Sequence, residues 1–228
     1  MRASNLARTD CTSGAVGFLS LNQLWALCAV VDMLTSIKLL DDETGNIRLY
    51  PDWLANADEI FAELETSIAW QGRTIRLFGK AHAIPRLEQW IGAPGVAYRY
   101  SGQSYVAQGW PATLAALPDR LLEEFAWQSN GALLNYYRNG QDSMGWHSDN
   151  EPELGVNPSV AILSLGQART LLMRRIDNHQ NKLVLELTGG SLLWMSGATQ
   201  AYWQHSLPKR ANRTGRISCT FRNIAEKN

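Results

Sequence analysis

The chain has 228 residues, 45% of them hydrophobic, enough to bury a core without disulfide staples and to form one large domain behind an N-terminal extension. Lysine plus arginine equals aspartate plus glutamate at 21 each, so no global positive field announces a polyanionic partner, and any basic surface has to be local. The three cysteines, Cys11, Cys28 and Cys219, lack CxxC spacing, which excludes a disulfide framework and a zinc ribbon and fits a reducing compartment, the cytoplasm or a nucleus.

Val16 to Val31 is apolar and follows Arg2 and Arg8, but Asn22, Gln23 and Trp25 break the run, so neither a signal peptide nor a membrane span is expected. Met33 offers an alternative start, and residues 1–32 are expected to be a start-site artefact, which peptides from before Met33 in the native protein would disprove. The pattern predicts helices over Leu21 to Ile37 and from Pro51 to Ala69, with Leu54, Ile60, Phe61 and Leu64 recurring on one face of the second. Strands are predicted at Thr74 to Phe78 and Val96 to Tyr100, and a helix at Pro118 to Trp127. Short apolar strands follow at Leu133 to Tyr137, Ser159 to Leu165, Thr170 to Arg174, Leu183 to Leu187, Ser191 to Met195, Gln204 to Leu207 and Arg216 to Phe221. Asn139-Gly140 and Gly189-Gly190 punctuate them. This spacing indicates a mainly β fold with supporting α-helices, a sandwich or barrel of which the jelly roll is the form with a mouth able to hold a metal. The expected division is an extension over 1–50 and a domain over 51–228.

His147 and Asp149 stand one residue apart, and His205 follows on a later strand. On a strand, positions i and i+2 face the same way, so this spacing aims an imidazole and a carboxylate at one point. Two histidines and one carboxylate leave coordination positions open, as in non-haem iron(II) oxygenases. HxD alone also fits a zinc hydrolase, or ordinary polar loop residues. Arg216 and Arg222 alternate on one face of their strand, and arginine grips carboxylates in a bidentate fork, for which a zinc hydrolase has no use. Lys209, Arg210 and Arg213 add a local basic run.

Asn135-Tyr136-Tyr137-Arg138, Gly145-Trp146-His147-Ser148-Asp149, Gly190-Ser191-Leu192-Leu193, His205-Ser206-Leu207-Pro208 and Arg216 to Arg222 together resemble the AlkB family of iron(II) and 2-oxoglutarate dependent dioxygenases. Phe78-Gly79-Lys80, Ile84-Pro85-Arg86 and Tyr98-Arg99-Tyr100-Ser101-Gly102 resemble its animal nuclear DNA-repair branch. The resemblance implies a double-stranded β-helix core of the jelly-roll, cupin-like kind and a nucleotide-recognition region over 72–130. It implies Fe(II) on His147, Asp149 and His205, with O2 and 2-oxoglutarate as cosubstrates. Arg216 and Tyr137 would hold the distal carboxylate of 2-oxoglutarate, Arg222 and Asn135 would sit at its metal-chelating end, and Ser218 and Thr220 would line the same site. Phe78 would be the finger that fills the stack vacated by a flipped base, and Tyr98, Tyr100, Asn150 and Glu151 would form the base pocket. Lys209 and Arg210 would contact phosphates. The implied activity is oxidative dealkylation of N-alkylated bases by a monomer acting on DNA, or on RNA, protein or a small molecule by the same chemistry. A jelly-roll binding module without catalysis is the contrasting class, and the intact triad and arginine pair argue against it.

Two positions depart from the family pattern. Ser218 replaces the usual asparagine between the two arginines, removing one amide from the cosubstrate site. Asn150 replaces an acidic residue, which lowers the expected preference for cationic lesions such as 1-methyladenine and 3-methylcytosine, with Glu151 left to offset it.

Overall fold

A computed structural model describes residues 35–77, 80–100, 103–211 and 214–225. The helix expected from Leu21 and the finger residue Phe78 therefore lie outside the described residues, apart from the end of that helix, where Ile37 opens a strand instead. Fourteen strands are described: β1 (Ile37–Asp42), β2 (Gly45–Tyr50), β3 (Gln71–Leu77), β4 (Lys80–Gly92), β5 (Ala97–Tyr100), β6 (Gln103–Val106), β7 (Gly131–Tyr137), β8 (Met144–His147), β9 (Val160–Gly166), β10 (Arg169–Arg175), β11 (Lys182–Leu187), β12 (Leu192–Ser196), β13 (Trp203–Leu207) and β14 (Arg216–Arg222). Helices are α1 (Ala57–Ser67), α2 (Leu117–Phe125) and α3 (Thr199–Tyr202).

An eight-stranded sheet runs in the order β1-β2-β12-β9-β14-β7-β4-β3, a four-stranded sheet in the order β11-β10-β13-β8, and β5 and β6 form a separate hairpin. The core lies between the two larger sheets: Ile47, Ile162, Leu193 and Met195 from the first meet Met173, Leu187, Trp203 and Leu207 from the second. A smaller cluster around Trp90, Tyr98, Tyr105 and Leu133 seats the β5–β6 hairpin. Two antiparallel sheets facing each other across such a core form the expected jelly-roll arrangement.

Strand β14 shows how the sequence positions a site. All seven residues are buried, yet they alternate: Arg216, Ser218, Thr220 and Arg222 share one face, and Ile217, Cys219 and Phe221 the other. The polar face lines a cavity between the sheets, whereas α1 contacts β9 and β14 from elsewhere. Covering both faces makes β9 an unbroken buried run from Val160 to Leu165.

Three expectations change. The domain starts before residue 51, because β1 and β2 belong to the large sheet and Ile47 and Leu49 enter its core. Their connection is a side-chain turn, with Asp42 Oδ1 accepting from the Thr44 backbone N–H at 2.8 Å and from its hydroxyl at 2.6 Å. Helix α1 begins at Ala57 rather than Pro51, since the preceding turns bury Trp53. Strand β4, unforeseen in the sequence, contains Pro85; the β3–β4 register breaks between Gly72 and Thr74, so the proline falls where no ladder bond is required of it.

Candidate metal and cosubstrate site

The minor sheet sets two of the three triad residues side by side. His147 at the end of β8 pairs directly with His205 on β13, and their ring centroids are 4.2 Å apart. Asp149 lies two residues beyond the end of β8, so strand alternation alone does not aim it. It is fixed by neighbours: its backbone N–H donates to Gln200 Oε1 at 2.9 Å, and the Ser148 hydroxyl donates to the Trp203 carbonyl at 2.8 Å. Gln200 sits on α3, immediately before the strand that carries His205, so one segment holds both ligands. Gln200 carries no sequence signal, and Ser148 is marked only by lying within the His147–Asp149 motif.

The potential ligand atoms of His147, Asp149 and His205 all lie within 4.8 Å of one another. His205 Nε2 is 3.8 Å from Asp149 Oδ2, which is buried and accepts no hydrogen bond from the described residues. His147 Nδ1 faces the Gly145 carbonyl at 2.9 Å, which fixes the proton there and leaves Nε2 with its lone pair. Burial, reinforced by His147, lowers the His205 pKa to about 3, and burial lowers that of His147 as well, so both imidazoles are neutral donors at pH 7. Burial opposes the charge of Asp149, but Arg222 and then the two histidines outweigh it and hold its pKa at about 2. Two neutral nitrogens and an ionised oxygen converging in this way fit a divalent cation with open coordination positions.

Arg222 donates from Nη2 to Asp149 Oδ1 at 2.5 Å, while its Nε and Nη1 are buried with no hydrogen-bond partner among the described residues. Arg216 is 2% exposed, donates from Nε to the Ser164 hydroxyl at 3.0 Å and lies over the Tyr137 ring at 5.5 Å. Burial lowers its pKa to about 10, so it stays cationic at neutral pH. Asn135, Tyr137, Arg216, Ser218, Thr220 and Arg222 line one cavity with the triad, and its two buried arginines suit a small dianion.

The residues expected to bind substrate are brought together only in part. Tyr98 is 1% exposed, stacks on Trp90 at 4.7 Å between centroids and lies beneath Arg222 at 5.1 Å. Glu151 is half-buried nearby, its carboxyl pKa raised by burial. Asn150 is exposed, Tyr100 ends β5, and Lys209 and Arg210 are exposed on the loop after β13, away from the cavity lining. Trp203 and Trp194 are core residues, and Trp146 carries Arg174 on its face at 4.2 Å.

Comparison with known proteins agrees with this geometry. Residues 46–222 match a family described as the 2OG-Fe(II) oxygenase superfamily. The chain is similar to "DNA oxidative demethylase ALKBH2" of Bos taurus, at 35% identity over 75% of this chain and 65% of that protein. It is similar to "Alpha-ketoglutarate-dependent dioxygenase alkB homolog 3" of Homo sapiens, at 35% identity over 82% of this chain and 69% of the relative. The chain thus spans about two thirds of the length of these relatives. Among solved structures, "The structure of OsALKBH1" superposes with a TM-score of 0.60 at 14% identity, covering 82% of this chain and all of that one, a likeness of fold.

Proposed function

Because the chain belongs to the AlkB family within the 2OG-Fe(II) oxygenase superfamily, we propose that it removes alkyl groups oxidatively from N-alkylated bases of the 1-methyladenine and 3-methylcytosine type in DNA. The observation that carries this is the convergence of His147, Asp149 and His205 on one point with Arg222 bonded to the ligand carboxylate and Arg216 in the same cavity. Similarity to proteins named DNA oxidative demethylase supports the choice of substrate.

His147, Asp149 and His205 would hold Fe(II). Arg216, with Tyr137 beneath it, takes the distal carboxylate of 2-oxoglutarate, and Arg222 and Asn135 face its other end, with Ser218 and Thr220 between. Iron(II), 2-oxoglutarate and dioxygen together supply the oxidising power that hydroxylates the alkyl carbon, with succinate and carbon dioxide as coproducts. The hydroxylated group then leaves the base nitrogen as formaldehyde. Arg222 holds Asp149 ionised through the bond to Oδ1, which leaves Oδ2 as the oxygen that would serve a metal. Tyr98, Tyr100, Asn150 and Glu151 would form the base pocket, with Tyr98 held as a buried support between Trp90 and Arg222. Phe78 fills the vacated stack, and Lys209 and Arg210 meet backbone phosphates.

The test is incubation with Fe(II), 2-oxoglutarate and DNA oligonucleotides bearing 1-methyladenine or 3-methylcytosine, with formaldehyde and restored base measured. Turnover on these strands, abolished by His147→Ala in a folded protein, is the expected outcome. Succinate release on a different substrate, with no repair of any methylated strand, would overturn the assignment.

A further inference from the structure

Strand β4 buries an ion pair that none of the roles above uses. Arg86 is 6% exposed and Glu88 1%, and Arg86 Nη2 lies 2.7 Å from Glu88 Oε1. Withdrawing two charges from water costs about as much as their attraction returns, and apolar residues of similar volume often serve stability equally well. A buried pair at this place therefore calls for a reason other than stability. The register supplies one: Glu88 stands directly across from Asn135 on β7, and Arg86 Nε is shared between Glu88 Oε1 and Asn135 Oδ1, at 2.9 Å from each.

A guanidinium only donates hydrogen bonds. The Asn135 atom that faces it must be the carbonyl oxygen, which turns the amide nitrogen the other way. With the opposite flip, Asn135 would set an oxygen against an anionic cosubstrate. Asn135 is the sole carboxamide among the described residues lining the cavity, because Ser218 stands across from it where a second amide would be. Glu88 completes the device by neutralising Arg86 and fixing its plane, and Tyr105 on β6 donates to Glu88 Oε2 at 3.4 Å.

We propose that Arg86 and Glu88 are positioning residues for cosubstrate binding, acting through Asn135 by locking its amide with the donor side toward the metal-chelating end of 2-oxoglutarate. This rests on the assignment of the cavity to 2-oxoglutarate. The test is calorimetric titration of the full chain, loaded with Mn(II) and without nucleic acid, using 2-oxoglutarate and, separately, succinate, which lacks the oxo-acid end. Arg86→Lys and Glu88→Gln should each weaken 2-oxoglutarate binding about tenfold and change succinate binding less than twofold. In an Asn135→Ala background the same substitutions should change 2-oxoglutarate binding less than twofold, because the coupling partner is gone. Equal losses in both backgrounds, or for both ligands, would overturn the proposal, as would failure of both variants to fold, which would make the pair a stability element. Wild-type protein that does not bind 2-oxoglutarate at all would instead overturn the cavity assignment on which it rests.

Discussion

Arg222 is the residue on which most of the site's electrostatics turn. It compensates a carboxylate that is fully buried and that, among the described residues, has no other cation of fixed charge in contact with it. Removing one member of such a pair leaves an unpaired buried charge and costs about 3 to 5 kcal/mol. Arg222→Gln should therefore destabilise the metal-free protein by about that amount, and Mn(II) should recover a large part of the loss by compensating Asp149 itself. Denaturant titrations with and without metal measure both quantities; a loss that metal leaves unchanged would mean that Arg222 acts through packing on Tyr98. The triad and the arginine pair can be picked out in the sequence by type and spacing, and the structure gathers them around one cavity, whereas Asn135, Tyr137, Ser218 and Thr220 are suggested only by the family resemblance. Gln200 and Glu88 carry no signal, and Ser148 and Arg86 stand in motifs of that resemblance without a readable role, because a supporting hydrogen bond can come from any element that packs nearby.

At the scale of elements, strand β7 owes its fit to an absent side chain. A Cβ on Gly131 would come within 2.3 Å of the Trp90 ring, itself 3% exposed and stacked on Tyr98, with its indole N–H donating to the Val96 carbonyl at 3.1 Å. Gly131→Ala should displace Trp90 and with it the seat of the β5–β6 hairpin. Overpacking of this kind costs about 1 to 3 kcal/mol, and tryptophan fluorescence together with protease sensitivity near residues 97–106 should report it. Unchanged spectra and stability would mean that the ring has room to move. Periodicity revealed β9, β10 and β14, whose residues alternate or run apolar, but not β4, where Pro85 and Arg86 interrupt the pattern, nor β8, whose four residues are too few to show one.

Across the whole molecule, the turn from β7 to β8 carries the chain from the large sheet to the small one and is tied at both ends. Arg138 donates to Asp142 from Nε at 2.7 Å, from Nη2 at 2.9 Å and from its backbone N–H at 2.9 Å. Arg169 on β10 donates to the carbonyls of Asn139, Asp142 and Pro208 at 3.3, 3.0 and 2.8 Å. Burial resists the charge of Asp142, but these bonds prevail and its pKa is lowered. A carboxyl with a depressed folded-state pKa contributes stability that is complete above its unfolded value of about 3.9 and is lost as pH falls through the folded value. Acid unfolding should accordingly steepen below pH ~4, and Asp142→Asn should flatten that limb while lowering stability at neutral pH. An acid limb identical in the variant would remove Asp142 from the account. Such long-range ties join residues far apart in sequence by contacts that no local pattern announces.

Strand β8 stands at the border of the small sheet, four residues long, bonded among the described strands to β13 alone and with a break in that register. An unpaired border of this sort is open to strands from other molecules. His147 lies at its end, so a metal gripped jointly with His205 would stitch the border strand to its one neighbour. Catalytic loading would then double as protection of the fold, and metal-starved protein should exchange its amides faster at Met144–His147 and self-associate through that border.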